Sequence, residues 1–265
     1  MKNKLFLLAN LLLVLCLSSC EIESSECESE YTTTGKEMFL HTEAHVVSWV
    51  GRFDDALKLD TYMNTPDSLK ETIRQLYFTS FGIGHSKPNS WSVLLNADTI
   101  CTVVTDSKSI HTVGAIWSFK MGNANEFSTI SCIAPNKWQI KVVEVSSYHW
   151  LDNADFEVVC TDVAAPPAFS DSHFEISGQG NMTTGSSYGQ RVNIKYKTTD
   201  NLVHDPSTFM FSSGGFEIEA FDLDKDKKEL ATGEYLKAMG DDRWVQITSR
   251  GRTQIYSDLY YYQYY

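Results

Sequence analysis

Basic residues are scarce: 22 Lys and Arg stand against 34 Asp and Glu, a formal charge of −12. So acidic a surface repels phosphate backbones, which excludes nucleic acid as a partner. Long apolar runs are also missing. The longest, residues 5–15, is about half of the roughly 20 residues a membrane-spanning helix needs. No fixed period recurs. The Phe-Glu-Val/Ile triplets at 156–158, 174–176 and 216–218 are spaced by 18 and 42 residues, which rules out a repeat array. Cysteine is sparse, with six in 265 residues, and a chain of this length builds a core without disulfides or metal. What is present, 42% apolar and 12% aromatic residues, fits one or two folded domains rather than disorder.

The first twenty residues carry an address. Met1-Lys2-Asn3-Lys4 is a short basic region, residues 5–15 are apolar, and Leu17-Ser18-Ser19-Cys20 joins small residues to a thiol. This order resembles the lipobox of bacterial lipoprotein precursors. The resemblance implies cleavage before Cys20, a diacylglyceryl group on Cys20 and a membrane contact through that lipid. Loss of Lys2 and Lys4 would take the formal charge to −14. Residues 21–30 hold five acids and almost nothing to bury, so they read as an extended tether. An acidic stretch directly after the lipidated Cys is similar to the surface-export signal of lipoproteins from Gram-negative gut anaerobes. The implied location is the outer membrane, facing either the periplasm or the cell surface.

Beyond the tether, Val46, Val50, Phe53 and Leu57 recur on one face of a 3.6-residue period, with Thr42 as N-cap and Glu43 in the first turn. Thr65, Pro66 and Asp67 signal a second helix start, Leu69, Ile73, Leu76 and Tyr77 mark its apolar face, and Gly82 and Gly84 end it. After Pro88 the period drops to two. Val192, Ile194 and Tyr196 alternate with Asn193, Lys195 and Lys197, and Phe216, Ile218 and Ala220 with Glu217 and Glu219. About a dozen such runs are punctuated at Asn123, Pro135-Asn136, Asp152-Asn153, Gly178–Gly180 and Gly214-Gly215. The expected fold is mainly β: an antiparallel sandwich or barrel-like domain at 85–265, preceded by a helical hairpin at 38–84, a lipidated Cys and tether at 20–37 and a signal peptide at 1–19. Ala164-Ala165-Pro166-Pro167 marks either a division into two lobes or a long connection.

Motifs of catalysis lack their context. Gly185-Ser186-Ser187-Tyr188-Gly189 has nucleophile-elbow spacing, but a strand pattern follows it where a helix is required. Asp222, Asp224 and Asp226 open like a calcium loop, yet Lys227 replaces the required Gly and Gly233 stands at the closing Glu position. His41, Glu43 and His45 read H-x-E-x-H, not the zinc-protease order, and a cap at Thr42 leaves His41 outside the helix. Cys101, Cys132 and Cys160 fall in strands, where buried thiols and a single bridge are both open readings. No catalytic residue, metal or cofactor is assigned, so the chain leans away from an enzyme.

Aromatics supply the remaining candidates. Trp117, Trp138 and Trp150 lie in or beside strands, and six of thirteen tyrosines crowd the last ten residues, including Tyr260, Tyr261 and Tyr262. Exposed rings of this kind suit sugar or protein contact, whereas a terminal strand would pack them into the sheet. The expected function is a lipid-anchored cell-envelope binding protein whose ligand is a glycan or another envelope protein. The alternatives are an envelope assembly subunit that uses its aromatic last strand for strand addition and, third, an envelope hydrolase with unmarked carboxylates.

Overall fold

The computed structural model describes residues 35–77 and 82–257, apart from short stretches at 88, 96–97, 122–124, 146–150, 163–172, 186–190, 206–209, 224–225 and 240–241. Two helices, α1 (Gly35–Asn64) and α2 (Asp67–Tyr77), precede thirteen strands: β1 (Gly82–Lys87), β2 (Ser90–Leu95), β3 (Asp98–Thr105), β4 (Ile116–Met121), β5 (Asn125–Ala134), β6 (Lys137–Val145), β7 (Leu151–Cys160), β8 (Phe174–Gly185), β9 (Arg191–Asp205), β10 (Met210–Asp222), β11 (Lys227–Met239), β12 (Asp242–Ser249) and β13 (Arg252–Ser257). Each strand pairs antiparallel with the next in sequence, so one meander runs from β1 to β13 without closing. The fold is mainly β. It is an open, barrel-like sheet curled around a helix rather than a sandwich of two sheets. β7 pairs directly with β8, so the Ala-Pro stretch between them, itself outside the described residues, does not divide the strands into lobes.

The buried helix is the organising element. Thirty residues give α1 a length of about 45 Å. Its buried positions, from Met38 to Asp60, sweep an arc of roughly 220° at 100° per residue, far wider than the stripe of a surface helix. The face formed by Val46, Val50, Phe53 and Leu57 is buried as expected. Against it stand the inward residues of the strands, among them Trp117, Ile130, Trp138, Phe156, Phe174, Tyr196, Phe216 and Val245. Phe53 sits 5.2 Å from the Trp138 ring and 5.6 Å from Phe174, while Phe39 lies 5.8 Å from Phe216 and 5.4 Å from Tyr235. Alternation sorts the strands, and the helix fills what would otherwise be an empty interior.

The N-terminal boundaries differ from the sequence expectation. The helix begins by Gly35, so Thr42 is not a cap. Its hydroxyl instead donates to the Met38 carbonyl at 2.8 Å one turn back, and His41 lies inside the helix. A wide buried face continuing upstream of Thr42, through Met38 and Phe39, outweighs the local cap signal. α2 starts beside Pro66 as expected, but its apolar face is open: Leu69 and Leu76 are 54% and 65% exposed. Gly82 and Gly84 lie within β1 rather than ending α2.

Three expected turns are strand interior. Asp152-Asn153 belongs to β7. Gly178–Gly180 lies in β8 where the pairing with β9 slips between Ile176 and Gln179, and Gly214-Gly215 lies in β10 amid three register breaks. Bulges that bend long strands need the same backbone freedom as turns, and Gly214 at φ 98° supplies it. The Pro135-Asn136 turn is found as expected, with Asn136 at φ 58°.

Candidate functional site

The candidate site lies on the outer face, away from the helix. An open groove of about 870 Å³ crosses β8–β12. Period-two alternation builds it: wherever Tyr196, Ile218 and Ala231 point into the core, their neighbours Lys195, Lys197, Glu217, Glu219, Leu230 and Thr232 point outward. Register sets opposite charges face to face, Lys197 against Glu217 and Lys195 against Glu219. Lys197 bonds Glu217 at 2.7 Å, and Lys228 takes Glu219 at 2.7 Å. Arg250 grips Glu229 with both its Nε, at 3.2 Å, and its Nη2. Glu219 being engaged by Lys228, Lys195 has no carboxylate partner among the described residues. Leu230, 62% exposed, rises between the paired charges.

A second groove of about 410 Å³ adjoins the first across β6–β9 and shares Gln179 and Lys195 with it. Its polar rim includes Lys141, Asn181 and Asp155, which accepts a 2.9 Å bond from Gln139. The two grooves share Gln179, Lys195 and Tyr196, and the Lys195 ammonium stands at their junction. This lining offers charge, hydrogen-bonding groups and one aliphatic knob.

Beneath the trough, a buried polar chain pins the helix to the sheet. The Trp49 indole, a donor only, gives its hydrogen to His45 Nε2 at 3.0 Å; Nε2 is therefore unprotonated, and Nδ1–H donates to the Tyr196 hydroxyl oxygen at 2.6 Å. Gly180 permits this: a Cβ there would drive into the Tyr196 ring and hydroxyl. Nearby, Tyr235 donates to Glu43 at 2.6 Å. At the far end of α1, the buried Asp60 carboxylate accepts the Ile110 N–H at 2.8 Å and an Asn64 amide N–H at 3.2 Å, holding the β3–β4 connection. Burial raises the Asp60 carboxyl above its ordinary range, against the pull of the Ile110 N–H, His111 and Ser109. Burial also lowers the His111 imidazole, which lies 3.7 Å from Asp60 and is partly restored by that charge.

The residues singled out by sequence fall as follows. Trp117 and Trp138 are fully buried in the core, and the Trp138 indole donates to the Ile110 carbonyl at 3.0 Å; neither is a surface contact. A flat inward position on a strand opposite a buried helix takes the largest ring available. Trp150, Tyr260, Tyr261, Tyr262, Cys20, Ser187 and Asp224 lie outside the described residues. His41 and His45 share the helix, but His45 is committed to Trp49 and Tyr196, and among the described residues no three His, Cys, Asp or Glu side chains are grouped to hold a metal. Asp222 and Lys227 bracket the β10–β11 turn, where Asp226 N–H donates to the Asp222 carbonyl at 3.0 Å. Cys132 and Cys160 are buried, on β5 and β7 with β6 between them, and burial raises the Cys132 thiol. Sequence reasoning missed the trough, although Lys-x-Lys at 195–197 and Glu-x-Glu at 217–219 were its signal. No family model matches the chain, and no curated protein or solved structure matches it.

Proposed function

We propose that the chain is a lipid-anchored cell-envelope protein, held to the outer membrane through Cys20, whose β domain binds another envelope protein. The anchor rests on the order of charge, apolar run, small residues and Cys in residues 1–20. Protein rather than glycan is favoured by one observation, the lining of the outer trough. Three ion pairs surround an exposed leucine with a spare ammonium beside it, chemistry suited to a polar rim around an apolar anchor. The glycan version needs an open aromatic platform. Among the described residues Trp49, Trp117 and Trp138 are buried, and Trp91 and Tyr256 pack against the core. The interior is taken by α1, which leaves the outer face as the place for a ligand.

In-cell photo-crosslinking tests this reading. A photoreactive residue at Leu230 or Thr232 should give a discrete protein adduct that Lys195→Glu reduces at least tenfold, and a probe at Leu76 on α2 should give none. A coherent glycan class bound by the full chain, with no adduct from the trough, would overturn it. Cys20→Ala should release the chain from the membrane fraction. Retention would remove the anchor.

A second reading, an assembly subunit working by strand addition, is favoured by a separate observation: among the described residues β13, the last strand in the sheet order, pairs only with β12.

A further inference from the structure

We infer that the second groove takes an acidic segment of the partner protein, one carboxylate on Lys141 and another on Lys195. The inference deepens the protein-binding reading and rests on it.

Two lysines flank this groove, Lys141 on β6 and Lys195 on β9. Register gives each a carboxylate across the strands, Asp155 for Lys141 and Glu219 for Lys195. Such a pair can close, as Lys197 and Glu217 do at 2.7 Å. At the groove it does not. Asp155 accepts the Gln139 amide at 2.9 Å, and Glu219 takes Lys228 at 2.7 Å, so neither Lys141 nor Lys195 has an ion pair among the described residues. Asn153, Gln179 and Asn181 lie between the two lysines, and their side chains make no hydrogen bond among the described residues. An anion bound here displaces nothing. A ligand claiming Lys197, Lys228 or Arg250 would first have to displace Glu217, Glu219 or Glu229.

Charge and spacing name the ligand. Two ammoniums against the Asp155 carboxylate leave the groove net positive on a chain of formal charge −12. It therefore draws acidic groups that the rest of the surface repels. Lys141 lies in register with Asp155, Gln179 and Lys197 across successive strands, and Lys195 is two residues from Lys197. Three strand spacings of about 4.8 Å and an offset of about 7 Å put the two Cα atoms roughly 16 Å apart, the reach of about five residues of extended chain. Two singly charged carboxylates on one peptide fit that separation. A compact, doubly charged phosphate would engage one ammonium and crowd Asp155. The amides of Asn153, Gln179 and Asn181 both donate and accept, which suits the N–H and C=O groups of the same peptide.

Fluorescence anisotropy on the purified full chain, kept free of lipid by Cys20→Ala, tests the inference with labelled octaglutamate, octaglutamine and an oligogalacturonate as probes. Octaglutamate should bind below about 1 mM and weaken in about 0.5 M salt, and octaglutamine should not bind. Lys141→Gln and Lys195→Gln, both at exposed positions, should each weaken binding about fivefold, and Lys108→Gln, exposed and outside the groove, should leave it unchanged. In cells, Lys141→Gln should reduce the adduct from Leu230 or Thr232 about fivefold. Octaglutamate that fails to bind, or binds regardless of both substitutions, overturns the inference; an adduct that persists then keeps the protein-binding reading. Octaglutamate bound through Lys141 and Lys195 with no cellular adduct keeps the carboxylate site and overturns the envelope partner. Oligogalacturonate bound in place of octaglutamate makes the anion a sugar and overturns both.

Discussion

Tyr196→Phe probes how the helix is held inside the sheet. The substitution keeps the ring, which lies 6.0 Å from Phe216 and 6.4 Å from Phe156, and removes only the hydroxyl. The His45 Nδ1–H, on a side chain with 8% exposure, then loses its acceptor while Trp49 still occupies Nε2. An orphaned buried donor costs about 1–3 kcal/mol, and apolar area is nearly unchanged, which sets the scale of the expected loss. For a domain of this size, 1 kcal/mol moves Tm by roughly 2–4 °C, which gives a fall of about 2–12 °C. Urea unfolding followed by tryptophan fluorescence measures it, because Trp49, Trp117 and Trp138 are buried reporters. The internal control is His45→Leu, which removes the donor itself. In that background Tyr196→Phe should cost less than about 0.5 kcal/mol, since no His45 N–H remains to be orphaned. An equal cost in both backgrounds, or no cost in the unmodified chain, would refute the proposed coupling.

Two further outcomes follow from packing and titration. Gly233→Ala should destabilise by about 1–3 kcal/mol in the same assay, because its Cβ would drive into the Phe39 ring beneath β11; Gly251→Ala, with open space around it, should lose less despite its positive φ. His41 is held below its ordinary value by burial, against the opposing pull of Glu37. The unfolded chain therefore takes up that proton first, so this part of the stability is complete above about pH 6.5 and is lost as pH falls below it. His111 acts with the same sign, and the raised Asp60 carboxyl acts in reverse at lower pH. Melting temperature should drop between about pH 6.5 and 5, and His41→Gln should flatten the drop. A slope untouched by that variant would remove His41 as a source.

Legibility varied with the kind of signal. Alternation in β9 and β10 was plain because each has one face in the core and one in water, so the period of two survives in residues such as Ile194 and Lys195. β1 and β11 are faint in the sequence: glycines punctuate β1, and in β11 the small Ala231 and Gly233 stand where larger inward residues would mark a strand, Gly233 because the Phe39 ring lies against it. α1 was only half visible. It is apolar and polar around most of its circumference because the sheet encloses it, and Glu43, His45 and Asp60 are buried there by partners from β11, β9 and the β3–β4 connection.

By itself, then, the order of residues determines the charge of the surface, the mainly β class, the signal-like first twenty residues and the uncharged aromatic last seven, because these depend on composition and short-range period. Tertiary structure alone decided that the sheet stays open around a single helix, that Trp117 and Trp138 are core rather than surface, and that Lys195 and Glu217 share a groove. Those outcomes depend on register between strands twenty residues apart and on what fills the interior, and a linear pattern carries neither.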